Sequence, residues 1–167
     1  EDAVRYAARY REAVEAIAAW SGSPHTRDED ELHTRPGLSV KLSALHPRFG
    51  PSQEERLFEE LLPALRELAF AMREAWLPLT IDAEEQDRLD LSLGLFQPLL
   101  TEPKLSGWNG LGLAVQAYGK RALLLIGWLG EAALKKEAMG MGDMTLMAFV
   151  VGPIEPATNR GRSDVEC

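Results

Sequence analysis

Cysteine and basic charge are both scarce in this sequence. The single cysteine, Cys167, is the last of 167 residues, so no disulfide can form within the chain. One unpaired cysteine is compatible with a reducing compartment. Acidic residues outnumber basic ones, and the formal net charge is −8. Because binding to phosphates needs a stripe of positive charge, this balance argues against nucleic acid as a partner.

Long hydrophobic runs are also missing from this sequence, and its first residues do not have the pattern of a signal peptide. The longest apolar run, Ala122 to Leu129, is far shorter than the ~20 residues of a membrane-spanning helix. The chain starts with Glu-Asp-Ala-Val, which is neither an initiator methionine nor the start of a signal peptide. We therefore expect one domain by length, with both ends cut from a larger protein.

The sequence does contain three stretches in which apolar residues alternate with small or polar ones, and each predicts a β-strand. They are Gly37–Ser43, Leu79–Asp82 and Leu111–Gln116. Side chains along a strand point to alternate faces, so the large aliphatic residues share one face. The other face carries Lys41, Asp82 and Gln116 near the strand ends. If the strands are parallel, these three groups meet at one edge of the sheet, where βα folds keep their chemistry.

Predicted helices alternate with these strands. The periodicity of apolar residues predicts helices over residues 2–20, from a Ser52–Glu55 capping box to about Ala75, from Glu84 onward, and over 122–138. We predict a loop over residues 21–36. Pro98 should end or kink the third helix. Residues 140–152 are a candidate for a further strand. Alternation of this kind predicts an α/β fold with a parallel sheet and right-handed crossovers.

The spacing of the three polar groups is typical of βα units. It is 41 residues from Lys41 to Asp82 and 34 from Asp82 to Gln116. A complete (β/α)₈ barrel needs roughly 300 residues at that spacing, so the chain has room for three to four strands. We expect a partial TIM-like barrel.

Each polar group has a functional and a structural interpretation. Lys41, flanked by Val40 and Leu42, would face a polar cavity in a buried central strand and bind an anion or form a Schiff base. An exposed edge lysine is the alternative. Asp82 is an active-site carboxylate or the N-cap of the next helix. Gln116 lies beyond small residues that leave room for a ligand, and its amide suits the edge of a heterocycle.

The remaining polar candidates have simpler interpretations. Glu84 and Arg88 are spaced for a surface ion pair. His25 and His33 lie in a polar loop, and we predict no metal site there. His46 follows the first strand, as an active-site group or as a hydrogen-bonded structural histidine.

Three motifs resemble the proline dehydrogenase family, in particular the proline dehydrogenase domain of bacterial bifunctional proline utilisation proteins. They are Leu38–Arg48, Ile81–Glu85 and Gly107–Arg121. The resemblance implies a distorted (β/α)₈ barrel with FAD, which oxidises L-proline to Δ1-pyrroline-5-carboxylate and passes electrons to a membrane quinone. It also implies a cytoplasmic protein, peripheral to the inner membrane face.

By the same resemblance, Lys41 matches the lysine that pairs with the proline carboxylate. Asp82 matches the active-site aspartate beside flavin and substrate, and Gln116 matches the amide that hydrogen-bonds the isoalloxazine. The resemblance covers residues 1–129, whereas 130–167 form a divergent tail. The family's arginine-bearing strand and its Tyr-x-x-Arg-Arg helix are not recognisable, so we expect an incomplete and inactive segment.

Two other functions remain open from the sequence. Lys41 could serve an unrelated βα-barrel lyase or aldolase through a Schiff base. Alternatively, the exposed edges of an open sheet could make the chain a non-enzymatic interaction fragment. The oligomeric state is not determined by any of these patterns.

Overall fold

A computed structural model describes residues 2–25, 27–138 and 147–151. The elements are α1 (Asp2–Ser21), α2 (Glu29–Thr34), β1 (Leu38–Val40), α3 (Leu42–Leu45), α4 (Glu54–Glu74), β2 (Leu79–Ile81), α5 (Leu89–Leu100), β3 (Leu111–Gln116), α6 (Ala122–Ala138) and β4 (Met147–Val151). Short 3₁₀ turns cover Pro51–Gln53, Gln86–Arg88 and Pro103–Leu105. Within these residues, no helix combines the length and the apolar character that crossing a bilayer requires.

The strands form one parallel sheet in the order β1-β2-β3-β4. Val40 pairs with Ile81, and Ile81 pairs with Leu113. Lys41 and Asp82 therefore follow their strands at the same level, while Gln116 ends the longer β3. The predicted α/β architecture with parallel strands is confirmed.

The core lies between the sheet and the helices that connect its strands. The predicted apolar stripe of α4 is buried throughout, from Leu57 to Met72. It meets the aliphatic side chains of the strands, which are at most 2 % exposed at Val40, Ile81 and Leu113. Burying each such side chain contributes about 1.5–3 kcal/mol, so these contacts hold the strand ends in place.

The first predicted strand is too long. β1 ends at Val40, and the following residues form α3 instead of continuing to Ser43. The neighbouring β2 ends at Ile81, so a longer β1 would find no partner there. Leu42 and Leu45, three positions apart, are both buried by the turn of helix. Lys41 becomes the extended residue between β1 and α3.

Two predicted helix starts are also wrong. Ser52 lies in a 3₁₀ turn, and α4 begins at Glu54 after Gln53, whose side chain makes no capping hydrogen bond. The capping box therefore does not form. The segment after β2 stays extended through Glu85, so its helix begins with the 3₁₀ turn at Gln86 and not at Glu84.

The predicted loop over residues 21–36 contains a helix that the pattern did not reveal. Asp28 is its N-cap, with its carboxylate accepting a hydrogen bond from the backbone N–H of Glu31 at 2.8 Å. An aspartate followed three positions later by a glutamate is the sequence signal that could have predicted this helix start. Pro98 does not end α5, which continues to Leu100.

The predicted helix over 122–138 is confirmed in full as α6. The proposed division of the chain at residue 129 falls inside this helix, and that division stays a prediction. β4 falls within the 140–152 stretch; the other residues of that stretch lie outside the described part of the chain.

Candidate active site

Lys41 and Asp82 lie side by side where β1 and β2 end. The distance from Lys41 Nζ to Asp82 Oδ2 is 4.0 Å, and the lysine side chain is 62 % exposed. The sequence predicted a lysine inside a buried central strand. Instead it lies one residue beyond β1, at an outer position of the described sheet. Its ammonium is therefore accessible to a ligand without the cost of burying an unpaired charge.

Asp82 makes local contacts with the backbone. Its N–H donates to the carbonyl of Val40 at 2.9 Å, and its Oδ1 accepts from the N–H of Ala83 at 2.9 Å. The alternative that Asp82 caps the next helix is wrong, because the first helical turn starts at Gln86 and Glu85 is its N-cap. Oδ2 is left to face Lys41.

Glu84 holds the segment after β2 against the start of α3. Its Oε1 accepts a hydrogen bond from the N–H of Ser43 at 3.0 Å, and its side chain is only 7 % exposed. The predicted pair with Arg88 forms, at 3.9 Å, although Glu84 is buried and the surface partner of Arg88 is Glu85 at 3.2 Å. The Ser43 contact brings the end of β1 to Asp82. Sequence reasoning missed it because it joins residues 41 positions apart.

Gln116 is held by a second glutamine. Gln86 Nε2 donates to Gln116 Oε1 at 2.9 Å, joining the turn after β2 to the end of β3. Within the described residues Gln116 Nε2 donates no hydrogen bond, so both of its N–H groups remain available to a ligand. Sequence reasoning did not single out Gln86, and no motif marks it.

An open cavity of about 540 Å³ lies over this edge of the sheet. Lys41, Glu84, Gln86, Gln116 and Tyr118 are among its lining residues. A smaller cavity of about 30 Å³, which shares Gln86 and Gln116 with it, is lined also by Asp82 and is large enough for a water molecule. All three predicted site residues therefore lie at one edge of the sheet, beside two cavities with shared lining residues; their roles stay predictions.

His46 is a structural histidine. It is 6 % exposed, its Nδ1 accepts from the N–H of Arg48, and its Nε2 lies 3.1 Å from Glu60 Oε2. The accepting Nδ1 indicates that Nε2 carries the proton. Hydrogen bonds from Arg56 and then from His46 lower the pKa of Glu60. Among the described residues, no group of three or more His, Cys, Asp or Glu side chains is arranged to hold a metal ion.

A bidentate ion pair borders the site. The guanidinium of Arg121 contacts both carboxylate oxygens of Asp90, which joins α5 to the start of α6. The hydrogen bonds to Arg121 lower the pKa of Asp90, and the same bonds raise the pKa of Arg121. Because Asp90 accepts from N–H groups along one edge of the guanidinium, this arginine is not a free cation for a ligand.

The donor set at this edge suits a substrate carboxylate and a heterocyclic cofactor. An exposed ammonium and an amide line the larger cavity, and the carboxylate of Asp82 lies 4.0 Å from that ammonium. Comparison with known proteins identifies the family: the sequence profile described as proline dehydrogenase matches residues 1–144. The chain belongs to the proline dehydrogenase family. This assignment excludes the alternative of an unrelated barrel lyase.

Several bacterial relatives of this proline dehydrogenase family chain are known. It is 44 % identical to the bifunctional protein PutA of Salmonella typhimurium over 160 residues, which cover 96 % of this chain and 12 % of that protein. It is 42 % identical to the Escherichia coli bifunctional protein PutA over 134 residues, covering 80 % of this chain and 10 % of the relative. The chain thus spans about one eighth or less of the length of these relatives.

The solved structures agree with this assignment. A mutant of Bradyrhizobium japonicum proline utilization A superimposes with a TM-score of 0.74 at 43 % identity, covering 81 % of this chain and 13 % of that chain. A structure of proline utilization A with proline bound in remote sites gives a TM-score of 0.74 at 44 % identity, with the same shares covered. The predicted partial (β/α)₈ barrel is confirmed.

Proposed function

We propose that this chain forms part of the active site of an FAD-dependent proline dehydrogenase, which oxidises L-proline to Δ1-pyrroline-5-carboxylate. The observation that carries the proposal is the meeting of Lys41, Asp82 and Gln116 at one strand edge in a chain of this family. A substrate carboxylate needs a cation, which Lys41 supplies. The reacting C–N bond needs a polar partner, which is Asp82, and the flavin needs an amide, which is Gln116.

Lys41 binds the carboxylate of proline in this proposal. Its ammonium is mostly exposed, and its pair with Asp82 is long at 4.0 Å. Exposed pairs of this kind contribute only about 0–1 kcal/mol, so a substrate carboxylate displaces the contact at little cost. Asp82 then limits where the ammonium can lie, because the two charges attract each other across the strand ends.

Gln116 is the flavin contact in this proposal. Its oxygen is occupied by Gln86, so its N–H groups are the donors that remain for the acceptor atoms of an isoalloxazine. When bound, FAD supplies the two-electron oxidant that takes a hydride as the C–N bond of proline becomes C=N. The chain's own residues orient substrate and cofactor, which is their usual share in flavin catalysis.

The partners and location are proposed by likeness to the family. Electrons would leave the flavin for a membrane quinone, and the protein would act in the cytoplasm, at the inner face of the membrane. A net charge of −8 remains the argument against nucleic acid as a partner of this segment.

We also propose that the 167 residues do not complete the catalytic site. The described sheet has four parallel strands, whereas a barrel of this type closes with eight. The remaining groups that contact proline and flavin must then come from strands other than these four. Binding of FAD is expected from this chain, but not efficient turnover.

Two measurements test the proposal. Titration of FAD into the purified chain should change the visible absorption spectrum of the flavin, and a spectrum identical to free FAD would contradict the cofactor assignment. L-proline with a dye acceptor should then give turnover far below that of the Salmonella relative assayed in parallel. Equal turnover would overturn the claim of an incomplete site.

A further inference from the structure

Gln86 joins two loops of the candidate site that are far apart in the sequence. It is the first residue of the 3₁₀ turn after β2, and its partner Gln116 is the last residue of β3, 30 positions later. Both side chains line the cavity of about 540 Å³. A hydrogen bond between them therefore affects the amide that faces this cavity.

The backbone is built to admit this contact. Gly119 donates its N–H to the carbonyl of Gln116 at 2.9 Å, closing the turn after β3. A Cβ atom at Gly119 would lie 3.0 Å from Gln86 Nε2 and 3.1 Å from the carbonyl oxygen of Gln116. Both distances are tighter than ordinary contacts. The absence of a side chain at Gly119 thus leaves the space that the Gln86 amide occupies.

The contact decides which end of the Gln116 amide is free. The last torsion of a glutamine side chain has a broad, roughly two-fold preference, so an unrestrained amide presents either its oxygen or its nitrogen. Gln86 donates to the oxygen, which leaves the N–H groups for another partner. Most polar atoms along the edge of a flavin ring are hydrogen-bond acceptors, so the orientation of the Gln116 amide decides whether it can donate to them.

We propose that Gln86 is a positioning residue, which holds the Gln116 amide with its N–H groups directed to a flavin. This role rests on the proposed function, since it takes Gln116 to be the flavin contact. Gln86 acts through Gln116 and has no required contact of its own with the cofactor.

A double-substitution experiment on the 167-residue chain tests the proposal. FAD affinity is measured by flavin fluorescence for the wild type, Gln86→Met, Gln116→Met and the doubly substituted chain. Loss of one exposed hydrogen bond should weaken binding roughly three- to tenfold in Gln86→Met. In the Gln116→Met background, Gln86→Met should cause no further weakening, because its target is gone. Gln97→Met is the matched control, since Gln97 lies on α5 beside a different cavity.

A second measurement is independent of the cofactor. The side-chain amide resonances of Gln116 in a ¹⁵N spectrum should move in Gln86→Met and stay in place in Gln97→Met. Unmoved resonances would show that Gln86 does not orient this amide.

The outcomes separate this proposal from the proposed function. If the wild type binds FAD and Gln86→Met binds it equally well, only the positioning role fails. Additive losses in the double variant would also refute it, because Gln86 would then act independently of Gln116. Absence of FAD binding by the wild type would overturn the proposed cofactor and the flavin part of this role together.

Discussion

At the scale of single residues, the candidate site depends on polar side chains that stay accessible while their backbones are held. Lys41 is mostly exposed, yet it follows the buried Val40 directly. Asp82 follows the buried Ile81 in the same way, and Gln116 follows Val115, which is 1 % exposed. Each functional group thus directly follows a buried strand residue in the sequence. Such an arrangement gives a precise position without burying the charge.

Replacing Lys41 tests the carboxylate role most directly. Lys41→Ala should weaken L-proline binding to the FAD-loaded chain roughly tenfold or more, because a charge-assisted contact contributes about 1.5–3 kcal/mol. The free energy of unfolding should change little, since the side chain is largely exposed. Calorimetric titration with L-proline measures the first and urea unfolding the second. Lys104→Ala, which removes a lysine that stacks on Phe70, should leave proline affinity unchanged; equal losses in both variants would contradict the assignment.

At the scale of elements, side chains from the segment after β2 hold its neighbours on both sides. Glu84 contacts Ser43 at the start of α3, and Gln86 contacts Gln116 at the end of β3. The intervening Glu85 is extended and points to Arg88 at the surface. The segment after β2 thus connects the ends of three strands through side-chain hydrogen bonds. Because these contacts hold it extended through Glu85, the helix that the sequence predicts from Glu84 begins later.

Glu84→Ala should therefore lower the free energy of unfolding more than Glu85→Ala does. Removal of a buried acceptor leaves the N–H of Ser43 without its partner, at a cost of about 1–3 kcal/mol. Glu85→Ala removes only an exposed ion pair and should cost less than about 1 kcal/mol. Urea unfolding of both variants measures the difference. Equal effects would show that the Ser43 contact does not hold α3 in place.

The Asp90–Arg121 pair between α5 and α6 predicts a pH dependence. Arg121 lowers the pKa of Asp90 below its ordinary value of 3.8, so the unfolded chain binds the proton more readily than the folded one. The stabilisation is present above the unfolded pKa and is lost as the pH falls through the lowered pKa. Asp90→Asn should thus be less stable than the wild type near neutral pH, and the difference should shrink below about pH 4. Urea unfolding across this range measures it, with Asp87→Asn as the control; a difference independent of pH would contradict the assignment.

Sequence periodicity predicted the boundaries of a helix or strand best where burial of its own apolar residues determines them. The boundaries of β3 and α6 were predicted in full, because β3 is buried along most of its length and α6 has a continuous apolar stripe. β1 was predicted too long, because its end depends on where β2 ends. Similarly, the residue types at positions 41, 82 and 116 were visible as candidates, whereas the contacts of Glu84 with Ser43 and of Gln86 with Gln116 were not. Their partners come from other loops, and no local pattern encodes such contacts.

At the scale of the whole molecule, the sheet formed by the described residues is open, unlike that of a closed barrel. Within the described residues, β1 pairs with β2 alone, so its other side has no strand partner. A parallel sheet normally has its strands covered and its edges closed by the barrel. An unpaired edge offers backbone N–H and C=O groups to any strand that meets it.

We expect the isolated chain to associate through this edge. Light scattering at increasing concentration should give a mass that rises above that of one chain. Ser39→Lys places a charge on the exposed middle residue of β1, and charged edge strands resist pairing, so this variant should stay closer to a monomer. Ser52→Lys adds the same charge at an exposed position of a 3₁₀ turn and should associate like the wild type. If both lysine variants lowered the mass equally, general charge repulsion and not the β1 edge would govern association, because only the first substitution alters an edge strand of the described sheet.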